Sequence, residues 1–219
     1  MSQDADNWNL DENEWQRHRS GWVTQDLSIP FFALTVDGAG VSPGFGFFLS
    51  DPTQGVFAAL TGFDGNGPGT IRIAQDVVLP PGSTDLIFDY QCAWDLLNEA
   101  QATLDRTFEV NIEESGGGAL LQSDLILTAQ AGTTAIPDSG GNLVGMVDVS
   151  AFAGQSVRIS FDWFVPEDFS GPAFCQLDNV SVEVIPVNVP TLSEWGLFSM
   201  AALLGIVGFM IIRRRKVTA

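Results

Sequence analysis

This sequence is rich in carboxylates and poor in every other reactive group. It holds 27 Asp and Glu residues, one His and two Cys. His18 lies in a polar stretch ahead of any apolar run, and no His sits near Cys92 or Cys175 in sequence. A thiol or hydroxyl needs such a base to become a nucleophile. No Gly-x-Ser-x-Gly elbow, phosphate loop or zinc-ligand spacing occurs. Among so many acids, pairs at glycosidase separations arise by chance. We therefore expect no enzyme, no catalytic residues and no cofactor.

Asp64-Gly-Asn66-Gly-Pro68-Gly69 has the look of a calcium loop. Its fifth position is Pro68 and its twelfth is Gln75. A calcium-binding loop of the helix-loop-helix kind needs an oxygen ligand and a bidentate Glu at those places. A glycine-rich hairpin loop is the better reading, so no metal set is assigned there. The two cysteines sit in strand-like runs, Leu86–Trp94 and Ala173–Val184. An even count in an exported chain permits one disulfide, and two buried thiols are the alternative. The bond requires the two strands to be neighbours. Six tryptophans stand at 8, 15, 22, 94, 163 and 195. Trp163 is read as core, and Trp94 is the candidate glycan-stacking residue.

Charge narrows the partners. All the acids lie at or before Glu194, where the cations are Arg17, Arg19, Arg72, Arg106 and Arg158. Five cations against 27 anions leave −22 on residues 1–194. That excludes nucleic acid as a partner. A solubilising surface is the simplest use of such a charge.

The elements that must position these residues are strands. Short apolar or alternating runs recur between Gly, Pro, Asp and Ser. They are Phe31–Val36, Gly44–Leu49, Val56–Gly62, Thr70–Leu79, Asp85–Tyr90, Thr107–Glu113, Asp124–Ala129, Val144–Val149, Ser156–Val165 and Phe174–Ile185. Such spacing predicts an antiparallel β-sandwich over 20–185, after a polar segment at 1–19. Pro80-Pro81-Gly82 predicts a tight turn. In Ser156–Val165, Val157, Ile159 and Phe161 point inward, with Arg158, Ser160 and Asp162 outward. Leu96, Leu97, Ala100 and Leu104 fall at helical spacing, which predicts a short helix over 93–104.

The end of the chain is of another kind. A linker at 186–195 carries Val189-Pro190-Thr191-Leu192-Ser193-Glu194-Trp195-Gly196. The run Gly196–Ile212 has 17 residues and no charge. As a helix it is about 25 Å long, at the short end of what spans a bilayer. Arg213, Arg214, Arg215 and Lys216 follow, in a basic tail at 213–219. These cations hold the tail cytoplasmic, so the preceding domain lies outside the inner membrane.

This tail resembles the IPTL-CTERM sorting domain of Gram-negative bacteria. That pattern is Ile-Pro-Thr-Leu, two variable residues, Trp-Gly, an apolar helix and an arginine cluster. Pro190, Thr191, Leu192, Trp195 and Gly196 match, and Val189 replaces the isoleucine. The resemblance covers about residues 187–216. It implies recognition by an exosortase-like membrane transpeptidase that cuts near the motif. The inner membrane, with a periplasmic ectodomain, is then the first location, and the cell surface or medium the second. Met1–Trp8 has neither a basic nor an apolar signal region. Since motif and arginines both require export, we expect a leader upstream of Met1 or already removed.

The ectodomain resembles galactose-binding-like jelly rolls over about residues 50–185. The resemblance rests on Gly55–Gly62, Ile73–Gly82 and Leu86–Tyr90, then on Val147–Phe161 and Phe174–Val182. It implies a jelly-roll-like sandwich. It also implies that Asp178 helps hold a structural calcium, with Asp11, Glu12 or Glu14 as candidate partners. An ordinary turn-stabilising Asp is the alternative. Two roles follow as expectations. One is structural or adhesive contact with envelope proteins. The other is a carbohydrate-binding module for exopolysaccharide or other glycans.

Overall fold

The structure is a computed structural model. It describes residues 22–26, 35–42, 46–63, 68–97, 102–135, 142–167 and 171–185, with 198, 201–204 and 206. It divides into two units, Met1–Ile185 and Pro186–Ala219.

The first unit is an antiparallel β-sandwich. Its strands are β1 (Trp22–Asp26), β2 (Thr35–Gly38), β3 (Phe57–Phe63), β4 (Gly69–Val78), β5 (Ser83–Asp95) and β6 (Arg106–Glu114). They continue with β7 (Leu120–Ala129), β8 (Thr134–Ala135), β9 (Leu143–Asp148), β10 (Ser156–Val165) and β11 (Ala173–Val184). One sheet runs β1-β4-β10-β6-β7. The other runs β2-β3-β11-β5-β8, with β9 also on β5. All pairs are antiparallel.

Period-two alternation builds the core. Ile71 and Ile73 of β4, Phe108, Val110 and Ile112 of β6, and Ile159, Phe161 and Trp163 of β10 face Leu86, Phe88 and Tyr90 of β5. Phe88 is the hub, with Phe161 edge-on at 5.0 Å and Phe108 edge-on at 6.2 Å. Trp163 stacks on Phe108 at 4.8 Å, so it is core as expected. Gly145 of β9 lies over Phe88, and a Cβ there would collide with the ring. The Pro80-Pro81-Gly82 turn forms as expected. Gly82 takes φ 86°, and the Ser83 N–H donates to the Pro80 carbonyl at 3.1 Å.

Two expectations need correction, and two features were not foreseen. The helix over 93–104 does not form among the described residues. Ala93–Asp95 continue β5, because Trp94 pairs with Ala173 on one side and Ala135 on the other. Leu96 instead packs with Ala102 and Ala129 in a small end cluster. Gly46–Leu49, expected in a strand, is a turn and loop. There Phe47 and Phe48 are both buried, which an alternating strand does not allow. β1 and β8 had no counterpart in the pattern. On β10, Ser160 and Asp162 do face away from the core but are buried, since β10 is the central strand.

In the second unit, 198, 201–204 and 206 are helical and exposed. Among the described residues no helix is long and apolar enough to cross a membrane. The expected span 196–212 falls mostly outside them.

Candidate functional site

Three places on the sandwich gather polar or aromatic groups. The first is the outer face of the five-stranded sheet. Arg72 of β4 sits opposite Asp162 of β10 in the register. Its Nε donates to Asp162 Oδ1 at 2.8 Å and its Nη2 to Oδ2 at 2.5 Å. Its Nη1 pairs with Glu113 Oε1 at 2.9 Å. Asn111 Nδ2 adds a bond to Asp162 Oδ2 at 2.9 Å. Two rows on, Arg158 makes a second fork onto Asp76, at 3.1 and 2.7 Å. The guanidinium fork holds the Asp76 carboxyl below its ordinary range, helped by the Gly116 N–H. These carboxylates are committed to arginine and amide donors. The arrangement locks strands β4, β10 and β6 together and offers no acid–base pair. Asp162 was expected on this face, but no sequence signal gave its partner, because the two residues are 90 apart.

The second place is the outer face of the six-stranded sheet. A loop running from Gly46 to Gln54 lies over it. Phe47 and Phe48 pack on Leu60, Ala93 and Phe174. Beyond them, Gln176 of β11 grips Asp51 twice. Its Oε1 accepts from the Asp51 N–H at 2.9 Å, and its Nε2 donates to the Asp51 carbonyl at 2.9 Å. Asp178 holds the next residues. Its Oδ2 accepts from the N–H groups of Thr53 at 2.6 Å and Gln54 at 2.9 Å, and its Oδ1 from that of Asn179 at 2.7 Å. Burial raises the Asp178 carboxyl above its ordinary value, against these N–H bonds. Both oxygens face donors, whereas a cation would need acceptors around it. This geometry is that of a loop-fastening Asp. The candidate calcium partners Asp11, Glu12 and Glu14 lie outside the described residues. Among the described residues, no group of three His, Cys, Asp or Glu could hold a metal ion. Asp64–Gly67 also falls outside them.

The third place is the end of the sandwich around the cysteines. Cys92 and Cys175 are directly opposed across β5 and β11, with Cα atoms 4.1 Å apart, and are joined in a disulfide. The required neighbouring of the two strands is thus met. Trp94 lies two residues on. It is half-buried, packs on Leu96, Ala102 and Ala129, and donates its Nε1–H to Thr133 Oγ1 at 3.0 Å. Its ring is therefore largely engaged within the fold.

The sorting motif (Val189, Pro190, Thr191, Leu192, Trp195, Gly196) and the basic cluster (Arg213, Arg214, Arg215, Lys216) lie outside the described residues. So does His18.

Comparison with known proteins bears on both units. Residues 189–216 match the family described as the IPTL-CTERM motif. No curated protein is similar to the chain in sequence. Solved structures of similar shape include TmCBM61 in complex with β-1,4-galactotriose, at 12% identity and TM-score 0.46, covering 77% of this chain and 94% of that one. The K1 cleaved adhesin domain of Lys-gingipain from Porphyromonas gingivalis W83 follows at 17% identity and TM-score 0.45, covering 75% and 91%. A family 11 carbohydrate-binding module of the cellulase Lic26A-Cel5E of Clostridium thermocellum has 9% identity and TM-score 0.39, covering 77% and 91%.

Proposed function

We propose that this is an exported envelope protein of a Gram-negative bacterium, sorted and processed through its C-terminal motif. The observation that carries the reading is the IPTL-CTERM match over 189–216. An exosortase-like transpeptidase recognises the motif while the apolar run 196–212 spans the inner membrane. Arg213–Lys216 stop the transfer on the cytoplasmic side. The sandwich then stands in the periplasm and, after cleavage, at the surface or in the medium. It serves structural or adhesive contacts and performs no reaction on other molecules.

The motif itself argues for processing over plain anchoring. An anchor needs only apolar length and flanking charge. Pro190 keeps residue 189 extended, the form a protease cleft takes. Trp195 suits the membrane interface, within reach of an embedded enzyme. Pro190→Ala or Thr191→Ala therefore leaves insertion intact and blocks maturation, so that full-length protein accumulates in the inner membrane of the native host. Both variants being trimmed and displayed like wild type would leave only a membrane anchor.

A further inference from the structure

The chain contains a single Asp-Pro pair, Asp51-Pro52, and the peptide bond between them is held closely. Its carbonyl oxygen accepts from two side-chain amides. Gln176 Nε2 donates at 2.9 Å and Asn142 Nδ2 at 3.0 Å. The two donors also fix each other, because Gln176 Nε2 donates to Asn142 Oδ1 at 3.1 Å. Gln176 is fully buried, and its Oε1 accepts from the Asp51 N–H at 2.9 Å. On the far side of the bond, Asp178 holds the N–H groups of Thr53 and Gln54. The backbone is thus clamped before and after this carbonyl, while the Asp51 side chain is exposed.

Two N–H donors at roughly 3 Å from one carbonyl oxygen have the form of an oxyanion hole. The bond they address is a chemically weak one. Proline has no N–H, so an Asp-Pro bond cannot close to the cyclic imide by which other Asp peptides rearrange. Its nitrogen is a tertiary amide, which takes a proton and leaves more readily than a secondary one. The Asp carboxyl reaches its own carbonyl carbon through a five-membered ring, so attack is intramolecular.

We propose that the sandwich cuts its own chain between Asp51 and Pro52, with Gln176 and Asn142 stabilising the oxyanion. A carboxyl oxygen of Asp51 bonds to the Asp51 carbonyl carbon, and the negative charge that develops on the carbonyl oxygen meets the two amide donors. The C–N bond to Pro52 then breaks. Its electron pair leaves with the proline nitrogen, which takes the carboxyl proton. The product is a five-membered aspartic anhydride, and one water opens it to a free α-carboxylate and a free side-chain carboxylate. The cut happens once per chain and needs no oxidant, metal or second substrate. Afterwards β1 and β2, on residues 1–51, remain paired with β4 and β3. No covalent bond joins the two pieces, because Cys92 and Cys175 both lie beyond the cut.

The test incubates the purified full-length chain in detergent and mildly acidic buffer, where part of an Asp carboxyl is protonated. Mass spectrometry and N-terminal sequencing under denaturing conditions follow the products. The proposal expects fragments 1–51 and 52–219, the second beginning at Pro52. The same chain unfolded in denaturant lacks the two donors and is cut at least about tenfold more slowly. Asp51→Ala abolishes the cut. Asn142→Ala slows it about tenfold or more, with thermal unfolding retained. If Asn142→Ala fails to fold, Asn142→Leu takes its place, since it keeps the shape without the donor. The proposal is overturned if the folded chain stays intact or if the unfolded chain is cut as fast. It is equally overturned if Asp51→Ala is still cut there, or if the folded Asn142 variant is cut like wild type. Cleavage is read on purified protein and sorting in the host, so either reading can fail alone.

Discussion

The sandwich and the tail carry their information in different ways. In the sandwich it is spread over distant partners. Arg72 and Asp162 are 90 residues apart, Thr53 and Asp178 are 125 apart, and the two cysteines 83 apart. In the tail it is local, with Pro190, Thr191, Leu192, Trp195 and Gly196 in one short spacing. A long-range fold tolerates change at many positions and collapses at a few. A linear address is read residue by residue. Substitutions in the first unit should therefore cost stability, and those in the second should cost destination.

The disulfide gives the largest effect on the stability side. Its closed loop spans 83 residues, for which the chain-entropy model gives about 4–5 kcal/mol. The double variant Cys92→Ala/Cys175→Ala should lose about that much in denaturant unfolding, while its tail is still processed. A loss below about 1 kcal/mol would show that the strands around it need no staple. Gly145→Ala comes next. Phe88 is fully buried against Phe108 and Phe161 and cannot retreat from a new Cβ, so we expect about 1–3 kcal/mol of overpacking. A wild-type melting temperature would place the strain elsewhere.

Asp178→Asn probes the loop fastening. One oxygen becomes an NH2 facing backbone N–H donors, at a cost of about 1–3 kcal/mol. The cost depends on pH. Burial raises the folded Asp178 carboxyl above its usual 3.8. The folded state then binds the proton more tightly than the unfolded one. The associated stability is present below pH 3.8 and lost as pH rises through the folded value. Asn does not titrate, so the gap between variant and wild type should be widest at low pH and narrow upward. A gap that widens toward neutrality would reverse the assignment of burial as the dominant cause.

The smallest expected effect is that of removing the tail. The sandwich closes where the Ile185 N–H donates to the Gly82 carbonyl at 2.9 Å, and the first unit ends at that residue. A chain ending at Ile185 should unfold cooperatively at the full-length midpoint. Loss of a cooperative transition would show that the two units depend on each other.

Much of the sandwich was legible because period-two alternation is a local signal. Ser156–Val165 reads as one strand and forms with those bounds. The helix expected over 93–104 shows the limit. Leu96, Leu97 and Leu104 do recur at helical spacing, yet the ladder to Ala173 and Ala135 decides the backbone of Ala93–Asp95. Gly46–Leu49 reads as a strand from its apolar residues, yet it is a turn and loop packed on Leu60, Ala93 and Phe174 of distant strands. β8 has two residues and too little pattern to see. The fastening of Asp51 by Gln176 was illegible, because the two residues are 125 apart in sequence and only the fold brings them together. The address at 189–216 was the most legible feature, since nothing distant is needed to complete it.

The central claim is that the tail directs processing, and the C-terminus of the mature protein tests it most directly. Mass spectrometry of the protein recovered from the surface or medium of its native host should find a chain ending within or close to Val189–Gly196. The apolar run and Arg213–Lys216 should then be missing. Surface protein that retains the peptide through Ala219 would contradict the account.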